Sequence, residues 1–248
     1  MSQTNANRII DAMRLRLFWM KYGVFFLRSG KCDMKRIRVA GRPVRLSLPA
    51  GEEAAMSFEI NNIFYNDCYG LRNIEGVNRI LDIGGNVGLF SLAARSQFPE
   101  ALIHTYEPNP QVQGHLLSNT NGLSIDVHPE AIGKEDGWID INSNAGSLMA
   151  TTVVSPKGKI KKTAMARALD RLGGPADLLK LDCEGAEWEL FENQEIWSRV
   201  NRLTMEYHLW ANPKIDVPEM ILRIRDFGFR IINLCEESQW GILQAIKQ

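Results

Sequence analysis

From residue 79 onward, short apolar runs alternate with longer segments whose apolar residues recur at helical spacing. This alternation predicts parallel strands joined by helices, because a helical crossover returns the chain to the same edge of a sheet. We therefore expect an α/β protein with a Rossmann-like, doubly wound and mostly parallel sheet that carries helices on both faces.

The predicted strands of this sheet are RILDI (79–83), LIHTYE (102–107), SIDVHPEAI (124–132), DLLKLDC (177–183) and RLTMEYHLW (202–210). The predicted helices cover residues 88–97, 110–119, 164–172, 187–198 and 216–227. Turn-forming residues punctuate residues 134–163, which we interpret as an inserted segment of short strand-like pieces.

The chain ends in two further predicted strands, FRIINLC (229–235) and WGILQAIK (240–247), with only four residues between them. So short a connection predicts an antiparallel hairpin, since a parallel return needs about a dozen residues or more. A doubly wound sheet closed by one antiparallel strand is typical of enzymes whose methyl donor is a nucleotide derivative, whereas dehydrogenase sheets usually stay parallel. The hairpin therefore favours the first of these classes.

Charge divides the chain into two parts. Residues 1–50 carry eleven Lys and Arg against two Asp, whereas residues 51–248 carry eighteen Lys and Arg against twenty-seven Asp and Glu. We therefore expect an N-terminal extension (1–50) followed by a single domain (51–248). A general nucleic-acid binder is basic across its main domain, and because this domain is acidic no nucleic-acid partner is predicted.

The extension is predicted to form a basic amphipathic helix and then a β-hairpin. Helical spacing relates the apolar residues Ile9, Met13, Leu17, Met20, Val24 and Leu27, and a seven-residue spacing relates the basic residues Arg14, Lys21 and Arg28. The hairpin pairs MKRIRVA (34–40) with PVRLSLP (43–49) around Gly41-Arg42. Two interpretations of the helix stay open: it packs on the domain as a lid or dimer element, or it contacts a membrane surface peripherally.

The cellular location is predicted from cysteine usage and hydropathy. The four cysteines show no C-x-x-C spacing, which argues against a zinc site or disulfide framework and suits a reducing compartment. No apolar run reaches the ~18 residues of a transmembrane helix. We therefore expect a cytoplasmic protein, with membrane association through the N-terminal helix as the open alternative.

A glycine turn follows the first strand of the domain and contains Asp82, Gly84, Gly85, Asn86 and Gly88. Glycines at this place let the backbone turn tightly and let a ligand approach the main chain. The turn lacks the G-x-G-x-x-G spacing of a pyrophosphate cradle, and the acidic residue before the glycines suits a cationic ligand such as an amino-acid ammonium group. An ordinary strand-to-helix turn is the alternative interpretation.

Glu107 is the last residue of the next predicted strand and lies nineteen residues after Gly88. Pro108 then stops that strand, so the carboxylate is expected at the carboxyl edge of the sheet. In doubly wound sheets an acidic residue about 20 positions beyond the turn binds ribose hydroxyls. Turn and acid together therefore predict an adenosine-containing cofactor.

More polar residues follow the next two strands, at the edge where open α/β sheets bind ligands. Asp182, Glu184 and Glu187 offer oxygen ligands that would suit Mg²⁺ or Ca²⁺, but acids in a first helical turn also stabilise the helix without a ligand, and no metal is predicted. Glu206 and His208 lie two residues apart and so share one strand face. A histidine with an ordinary pKa near 6.5 is a candidate general base.

Together, the segments LDIGGNVGLFSL, YEPNP, LLKLDCEGAEWEL and MEYH resemble the FkbM-type S-adenosylmethionine-dependent methyltransferases, over about Leu81 to Leu209. The D-x-E-G-x-E run, with YEPNP about 75 residues upstream, is the more specific part of this resemblance. The glycine turn alone indicates a class I methyltransferase. Gly85 departs from the family pattern, which more often has alanine there.

The resemblance implies a cofactor, S-adenosylmethionine, and a set of residues that bind it. These residues are Asp82, Gly84, Gly85, Asn86 and Gly88 at the methionine end, Glu107, Pro108 and Asn109 at the ribose, Glu130 and Ala131 at the adenine, and Asp182 beside the methyl-transfer pocket. The implied reaction is methyl transfer to a hydroxyl group of a small molecule, a sugar or a natural product. His208 is the first choice for the base, with Glu184 and Asp182 behind it.

Two other hypotheses stay open at this point. A nicotinamide-dependent oxidoreductase of Rossmann type would use the same sheet and ribose acid, although it would lack the third spaced glycine and leave the terminal hairpin unexplained. A non-catalytic, membrane-associated scaffold that retains the cofactor would be led by the N-terminal helix.

Overall fold

The computed structural model of the chain describes residues 3–26, 35–142, 151–155 and 157–248. Its centre is a seven-stranded sheet whose strands are β3 (Arg79–Ile83), β4 (Leu102–Tyr106), β5 (Ile125–His128), β10 (Leu178–Leu181), β11 (Arg202–His208), β12 (Phe229–Glu236) and β13 (Trp240–Lys247). The strand order is β12-β13-β11-β10-β3-β4-β5. All neighbours pair in parallel except β13, which runs antiparallel to both β11 and β12. The predicted doubly wound sheet with its antiparallel C-terminal strand is confirmed.

Helices precede and connect these strands. They are α1 (Gln3–Lys21), α2 (Glu53–Ile60), α3 (Leu89–Gln97), α4 (Pro110–Thr120), α5 (Met165–Arg171), α6 (Glu187–Leu190), α7 (Gln194–Trp197) and α8 (Val217–Asp226). A π-helical turn (Asn61–Asn66) continues α2, and one-turn 3₁₀ helices cover Leu71–Asn73 and Leu209–Ala211. The chain leaves β3 on one side toward β4, and the next strand on its other side is β10. Such a switch point opens a crevice at the carboxyl ends of the strands.

Residues 124–132, predicted as one strand, form two. β5 ends at His128, and β6 (Ala131–Gly133) leaves the central sheet and pairs with β9 (Ile160–Ala164). Pro129 lies between them and has no N–H to donate to a strand ladder, which is a physical reason for the break. With β7 (Gly137–Asn142) and β8 (Thr151–Val154), these strands form a four-stranded sheet. The predicted insertion (134–163) supplies all of this sheet except β6 and the last residue of β9, and its residues 143–150 and 156 lie outside the described ranges.

The helix predicted over residues 187–198 is also divided in two. α6 ends after one turn, and Asn193 begins α7 as its N-cap, since its side chain accepts a hydrogen bond from the Glu195 N–H at 3.2 Å. An asparagine side chain competes in this way with a continuous helix. The other predicted helices from residue 88 onward agree with the structure to within one residue at each end.

The N-terminal extension consists of α1 and a hairpin of β1 (Arg36–Val39) and β2 (Arg42–Arg45), as predicted. α1 starts earlier than predicted and ends at Lys21, because Gly23 takes a positive φ of 74° and Val24 N–H donates back to the Trp19 carbonyl at 2.9 Å. The predicted helical positions Leu27 and Arg28 lie outside the described residues.

One face of the extension shares its core with the domain. Its buried apolar residues Trp19, Tyr22, Val24, Ile37, Val39, Val44 and Leu46 form one cluster with residues of α2, α3 and the central sheet. This shared core joins residues 1–50 to residues 51–248. The division of the chain between these two segments therefore stays a prediction. Within the described residues, no helix combines the length and apolar character needed to cross a membrane.

Candidate functional site

A cavity of about 220 Å³ opens at the carboxyl edge of the central sheet, beside the switch point between β3 and β10. Its lining includes residues from the ends of five strands and from α2: Glu59, Gly84, Asn86, Glu107, Pro108, Glu130, Ala131, Ile139, Asp182, Glu184 and Glu206. Eight of these were predicted as site residues. Glu184 was predicted at the reaction centre, and the other seven were predicted at the cofactor: Gly84, Asn86, Glu107, Pro108, Glu130, Ala131 and Asp182. The parallel strands bring them together because their carboxyl ends share one edge.

The glycine turn after β3 lies tightly against the strand beside it. Gly84 has a φ of 82°, and a Cβ atom added there would lie 1.7 Å from the Asp182 carbonyl oxygen. Gly85 is packed against Thr105, whose Oγ1 would lie 2.2 Å from an added Cβ. Asn86 keeps a positive φ of 46° although it is not glycine. The turn therefore exposes backbone to the cavity at positions where a side chain would not fit.

Glu107 ties the glycine turn to the end of β4. Its two carboxylate oxygens accept hydrogen bonds from the backbone N–H groups of Asn86 and Asn109, each at 2.7 Å. Burial raises the pKa of Glu107 to about 7, although these two N–H groups act to lower it. The side chain is buried but still lines the cavity, so its free lone pairs can accept hydroxyl donors there.

A buried lysine, which the sequence analysis did not single out, stabilises the glycine turn. Lys180 donates to the Gly84 carbonyl at 2.5 Å, and its Nζ lies 3.3 Å from Asp182 Oδ2 and 3.6 Å from Asp82 Oδ1. Burial lowers the pKa of Lys180, but the two aspartates outweigh it and the net pKa is raised. Asp82 itself is fully buried and accepts hydrogen bonds from Ser91 and Thr105. Asp82 therefore stabilises the turn and does not line the cavity.

Glu130 and Ala131 lie where the chain passes from β5 to β6. Glu130 lines the cavity but is held by three donors: Thr163 at 2.6 Å, Arg171 at 2.7 Å and Lys161 at 3.1 Å. Burial acts to raise the pKa of Glu130, but these donors lower it to about 2. Glu130 is therefore a fixed anion. Gly88 and Asn109, also predicted at the cofactor, cap α3 and α4 behind the cavity wall.

Three carboxylates border the other end of the cavity: Asp182 after β10, Glu184 two residues later, and Glu206 on β11. Tyr69 bridges two of them, since its hydroxyl lies 3.3 Å from Asp182 Oδ2 and 3.4 Å from Glu206 Oε2. Glu184 has a left-handed backbone with a φ of 52°, which is costly for a residue other than glycine. Strain of this kind is found where the surrounding structure fixes a functional side chain.

His208 lies behind these carboxylates and is buried. Its Nδ1 is 3.0 Å from Oε1 of the fully buried Glu187, which also accepts the His208 backbone N–H at 2.9 Å. Its Nε2 lies 3.6 Å from Glu184 and 3.7 Å from Glu206. His208 thus touches the carboxylates that line the cavity and is not itself among the lining residues.

The charges of this group decide which member can accept a proton. Burial lowers the pKa of His208, but the hydrogen bond and charge of Glu187, with Asp182 and Glu184, outweigh it and raise the pKa to about 9. Burial raises the pKa of Glu184 to about 7 and, together with the Asp182 charge, raises that of Glu206. At neutral pH the imidazole is therefore protonated, while the two glutamates titrate near neutrality. This geometry favours a glutamate over His208 as the proton acceptor.

Three of these side chains also lie close enough together to bind one shared cation: Asp182, Glu184 and His208. One potential ligand atom from each lies within 4.8 Å of the others, and no other such group of His, Cys, Asp or Glu occurs in the described part of the chain. The protonated state of His208 competes with metal binding, because a metal ligand must be the neutral imidazole.

Glu59, Tyr69, Lys180 and Glu206 are the site residues that the sequence analysis missed or left without a role. Glu59 comes from α2, a helix in a stretch for which no element was predicted. The apolar surroundings of Lys180 within LLKL were the one available signal, since a lysine inside a buried central strand needs an acidic partner.

Comparison with known proteins adds independent information. Residues 82–231, more than half of the chain, match the family model of the methyltransferase FkbM domain. The chain is 26% identical to methyltransferase sdnD of Sordaria araneosa over 243 residues, covering 79% of this chain and 90% of that protein. It is 23% identical to the 31-O-demethyl-FK506 methyltransferase FkbM of Streptomyces tacrolimicus, covering 75% and 89%.

Among solved structures, the fold is similar to that of Aeropyrum pernix fibrillarin in complex with natively bound S-adenosyl-L-methionine. The TM-score is 0.50 at 12% identity, over 90% of this chain and 93% of that one. A likeness at this identity concerns the fold.

Proposed function

The chain belongs to the FkbM methyltransferase family, and on that premise we propose that it transfers a methyl group from S-adenosylmethionine to a hydroxyl group of a small-molecule acceptor, a sugar or a natural product. The observation that carries this proposal is the pairing of Glu184 and Glu206 at the cavity, two carboxylates whose raised pKa values suit proton removal near neutral pH. An amine acceptor that arrives already neutral needs no such base.

The residues around the cavity fit the proposed cofactor. Glu107 offers lone pairs to the two ribose hydroxyls, and the backbone around Gly84 is open to the methionine end. Asn86 Oδ1 is a buried oxygen for which the described residues supply no donor, at the place where the ammonium group would lie. Glu130, Ala131 and Ile139 would enclose the adenine. When bound, S-adenosylmethionine supplies an electrophilic methyl carbon on a positively charged sulfur.

At the acceptor end of the cavity, side chains orient the acceptor hydroxyl group and remove its proton. Glu184 or Glu206 accepts the hydroxyl proton during attack, which contributes about 100-fold or more to the rate. His208, held by Glu187, places Nε2 within ion-pair distance of these two glutamates, at 3.6 Å and 3.7 Å, and its charge favours their present orientation. The Tyr69 hydroxyl lies within hydrogen-bond distance of Asp182 and Glu206. Most of the remaining rate enhancement comes from the alignment of the hydroxyl oxygen with the methyl carbon.

An exposed aromatic side chain stands beside the proposed acceptor position. Trp210 follows β11, its ring lies 5.7 Å from that of His208, and it approaches Gly185, next to Glu184. An aromatic ring can pack against the apolar face of a sugar or a polyketide while the hydroxyl points to the carboxylates. The name of the Streptomyces relative describes transfer to an oxygen of such a natural product, which supports the same acceptor class here.

Calorimetric titration tests the cofactor first. We expect S-adenosylmethionine and S-adenosylhomocysteine to bind and NAD to give no heat. Glu107→Ala is expected to weaken both by about 10- to 100-fold, because hydrogen bonds to a charged group are lost. Glu100→Ala is the matched control, since Glu100 is exposed and lies away from the cavity. A preference for NAD would overturn the proposal in favour of an oxidoreductase.

The acceptor class is tested with a ¹³C-labelled methyl donor and parallel sets of hydroxyl and amine compounds. Methyl carbon signals at the chemical shift of ethers support the proposal. Labelled N-methyl products alone would contradict O-methylation while leaving the methyltransferase activity in place. We place this reaction in the cytoplasm on the basis of the cysteine pattern.

A further inference from the structure

Independently of the reaction, we propose that α1 binds the surface of an anionic phospholipid membrane, with its axis in the plane of that surface. α1 has one apolar face that the domain leaves uncovered. This face, called here the outer stripe, consists of Ile9, Ile10, Met13, Leu17 and Met20, whose side chains are between 46% and 63% exposed. At about 100° per residue these five positions fall on one side of the helix.

The packing of α1 on the domain explains why the outer stripe stays uncovered. The opposite side of the helix carries Trp19 and Phe18, which pack against Phe64 and Tyr65 of the π-helical turn. The helix is thus held through one face, and the outer stripe does not contribute to the core.

Basic side chains border the outer stripe on both sides. Arg16 lies along one edge and Arg14 and Lys21 along the other, all exposed. The only acidic side chain described on this helix, Asp11, is 3.7 Å from Arg14. An apolar strip with cations at both edges is the pattern of a helix that lies in the interface of an anionic bilayer.

The hairpin next to α1 carries more positive charge. Arg38 N–H donates to the Tyr22 carbonyl at 2.7 Å, so β1 lies beside the end of the helix. Arg38 on β1 and Arg45 on β2 are both exposed. These arginines extend the cationic surface toward lipid phosphates.

Charge also distinguishes a membrane from the other occupants of such a face. A second copy of the chain would bring the same cationic face, with Arg14, Arg16 and Lys21, against this one, because a two-fold interface pairs identical surfaces. A nucleic acid would satisfy the cations but would leave the apolar stripe without a partner. An anionic bilayer satisfies both features.

Vesicle flotation of the full-length protein tests the proposal. We expect co-flotation with vesicles of phosphatidylcholine and phosphatidylglycerol, little with phosphatidylcholine alone, and a loss of binding between about 0.1 M and about 1 M salt because of screening. Met13→Glu with Leu17→Glu is expected to weaken binding at least tenfold, since the charges lie in the apolar stripe. Leu222→Glu is the matched control, because Leu222 is an equally exposed leucine on α8.

Two outcomes would overturn the proposal. One is equal flotation of the Met13→Glu, Leu17→Glu protein and the wild type. The other is a stable dimer by light scattering that these substitutions convert to a monomer, without vesicle binding by either form. Near-ultraviolet circular dichroism, to which the buried Trp19 contributes, and thermal unfolding of each variant distinguish a loss of binding from unfolding.

Discussion

Oε1 of Glu187 accepts hydrogen bonds from two atoms of His208, the backbone N–H at 2.9 Å and Nδ1 at 3.0 Å. Because Nδ1 is fixed as a donor, Nε2 is the nitrogen that meets Glu184 and Glu206. The second oxygen of Glu187 accepts the Gly185 N–H at 2.9 Å and so holds the left-handed loop that carries Glu184. The buried Glu187 carboxylate therefore sets the position of His208 and of the loop that carries Glu184.

Glu187→Gln is expected to lower the pKa of His208 from about 9 toward its ordinary value near 6.5. In the wild type the folded pKa lies above the unfolded one, so the stabilisation is complete below about pH 6.5 and is lost as the pH rises through about 9. Near pH 6 the substitution should cost about 3 kcal/mol of unfolding free energy, because a buried imidazolium loses its partner. NMR titration of the imidazole and denaturant unfolding measure the two effects. Glu195→Gln, at an exposed position of α7, should change neither.

Glu206→Gln is expected to reduce kcat by about 100-fold with little change in cofactor affinity, because it removes a proton acceptor and keeps the shape. In the wild type, burial raises the pKa of Glu184 to about 7 and that of Glu206 above its usual range, so kcat/KM should rise with pH across neutrality as they ionise. The pH profile of single-turnover methyl transfer measures this. Glu237→Gln, on the exposed connection between β12 and β13, is the control. Unchanged turnover in Glu206→Gln would exclude it as the base.

Gly84→Ala is expected to destabilise the protein and abolish cofactor binding, whereas Gly114→Ala should be neutral or stabilising. A Cβ at Gly84 meets the Asp182 carbonyl at 1.7 Å and the residue has a φ of 82°, so the turn must move. Gly114 lies inside α4 with nothing within 4 Å, and alanine there gains about 0.5–1 kcal/mol of helix propensity. Thermal unfolding with and without S-adenosylhomocysteine compares the two. Equal melting temperatures for the two variants would show that the turn tolerates a side chain.

Lys180→Met is expected to cost about 3–5 kcal/mol, because it leaves the buried Asp82 carboxylate without its cation. Asp82→Asn in the same chain should recover part of that loss, since the unpaired charge is then gone. Chemical denaturation of the two single variants and the double variant gives the coupling energy. The exposed pair Lys134–Glu192, 3.1 Å apart, is the comparison: Lys134→Met should cost no more than about 1 kcal/mol. Strictly additive losses at Lys180 and Asp82 would contradict the coupling.

The sequence predicted the central sheet and the cofactor end of the site because both depend on local patterns. Apolar runs define β3, β4, β10 and β11, and parallel connection alone brings their carboxyl ends to one edge. Gly84, Asn86 and Glu107 then follow directly from their positions at the ends of strands. The short connection between β12 and β13 likewise forced the antiparallel pair.

The charge state of the acceptor end could be read only from the tertiary structure. Glu59 and Tyr69 reach the site from a segment far away in sequence, and Glu187 meets His208 across twenty-one residues. The pKa of His208 depends on these neighbours and on burial, neither of which a strand pattern contains. We therefore interpret His208, the base candidate of the sequence analysis, as a protonated positioning group in the folded pocket.

α1 shows the same difference between what the sequence determines and what the tertiary structure determines. Apolar spacing in the sequence identified an amphipathic helix and placed Val24 on the same face as Met13 and Leu17. In the structure the helix ends before Val24, which is buried, while Met13 and Leu17 are exposed because Trp19 and Phe18 fill the contact with the domain. The spacing of apolar residues in the sequence determines which side of a helix is apolar. Which side is covered depends on the shape of the surface that the rest of the chain presents to it, and only the folded core decides that.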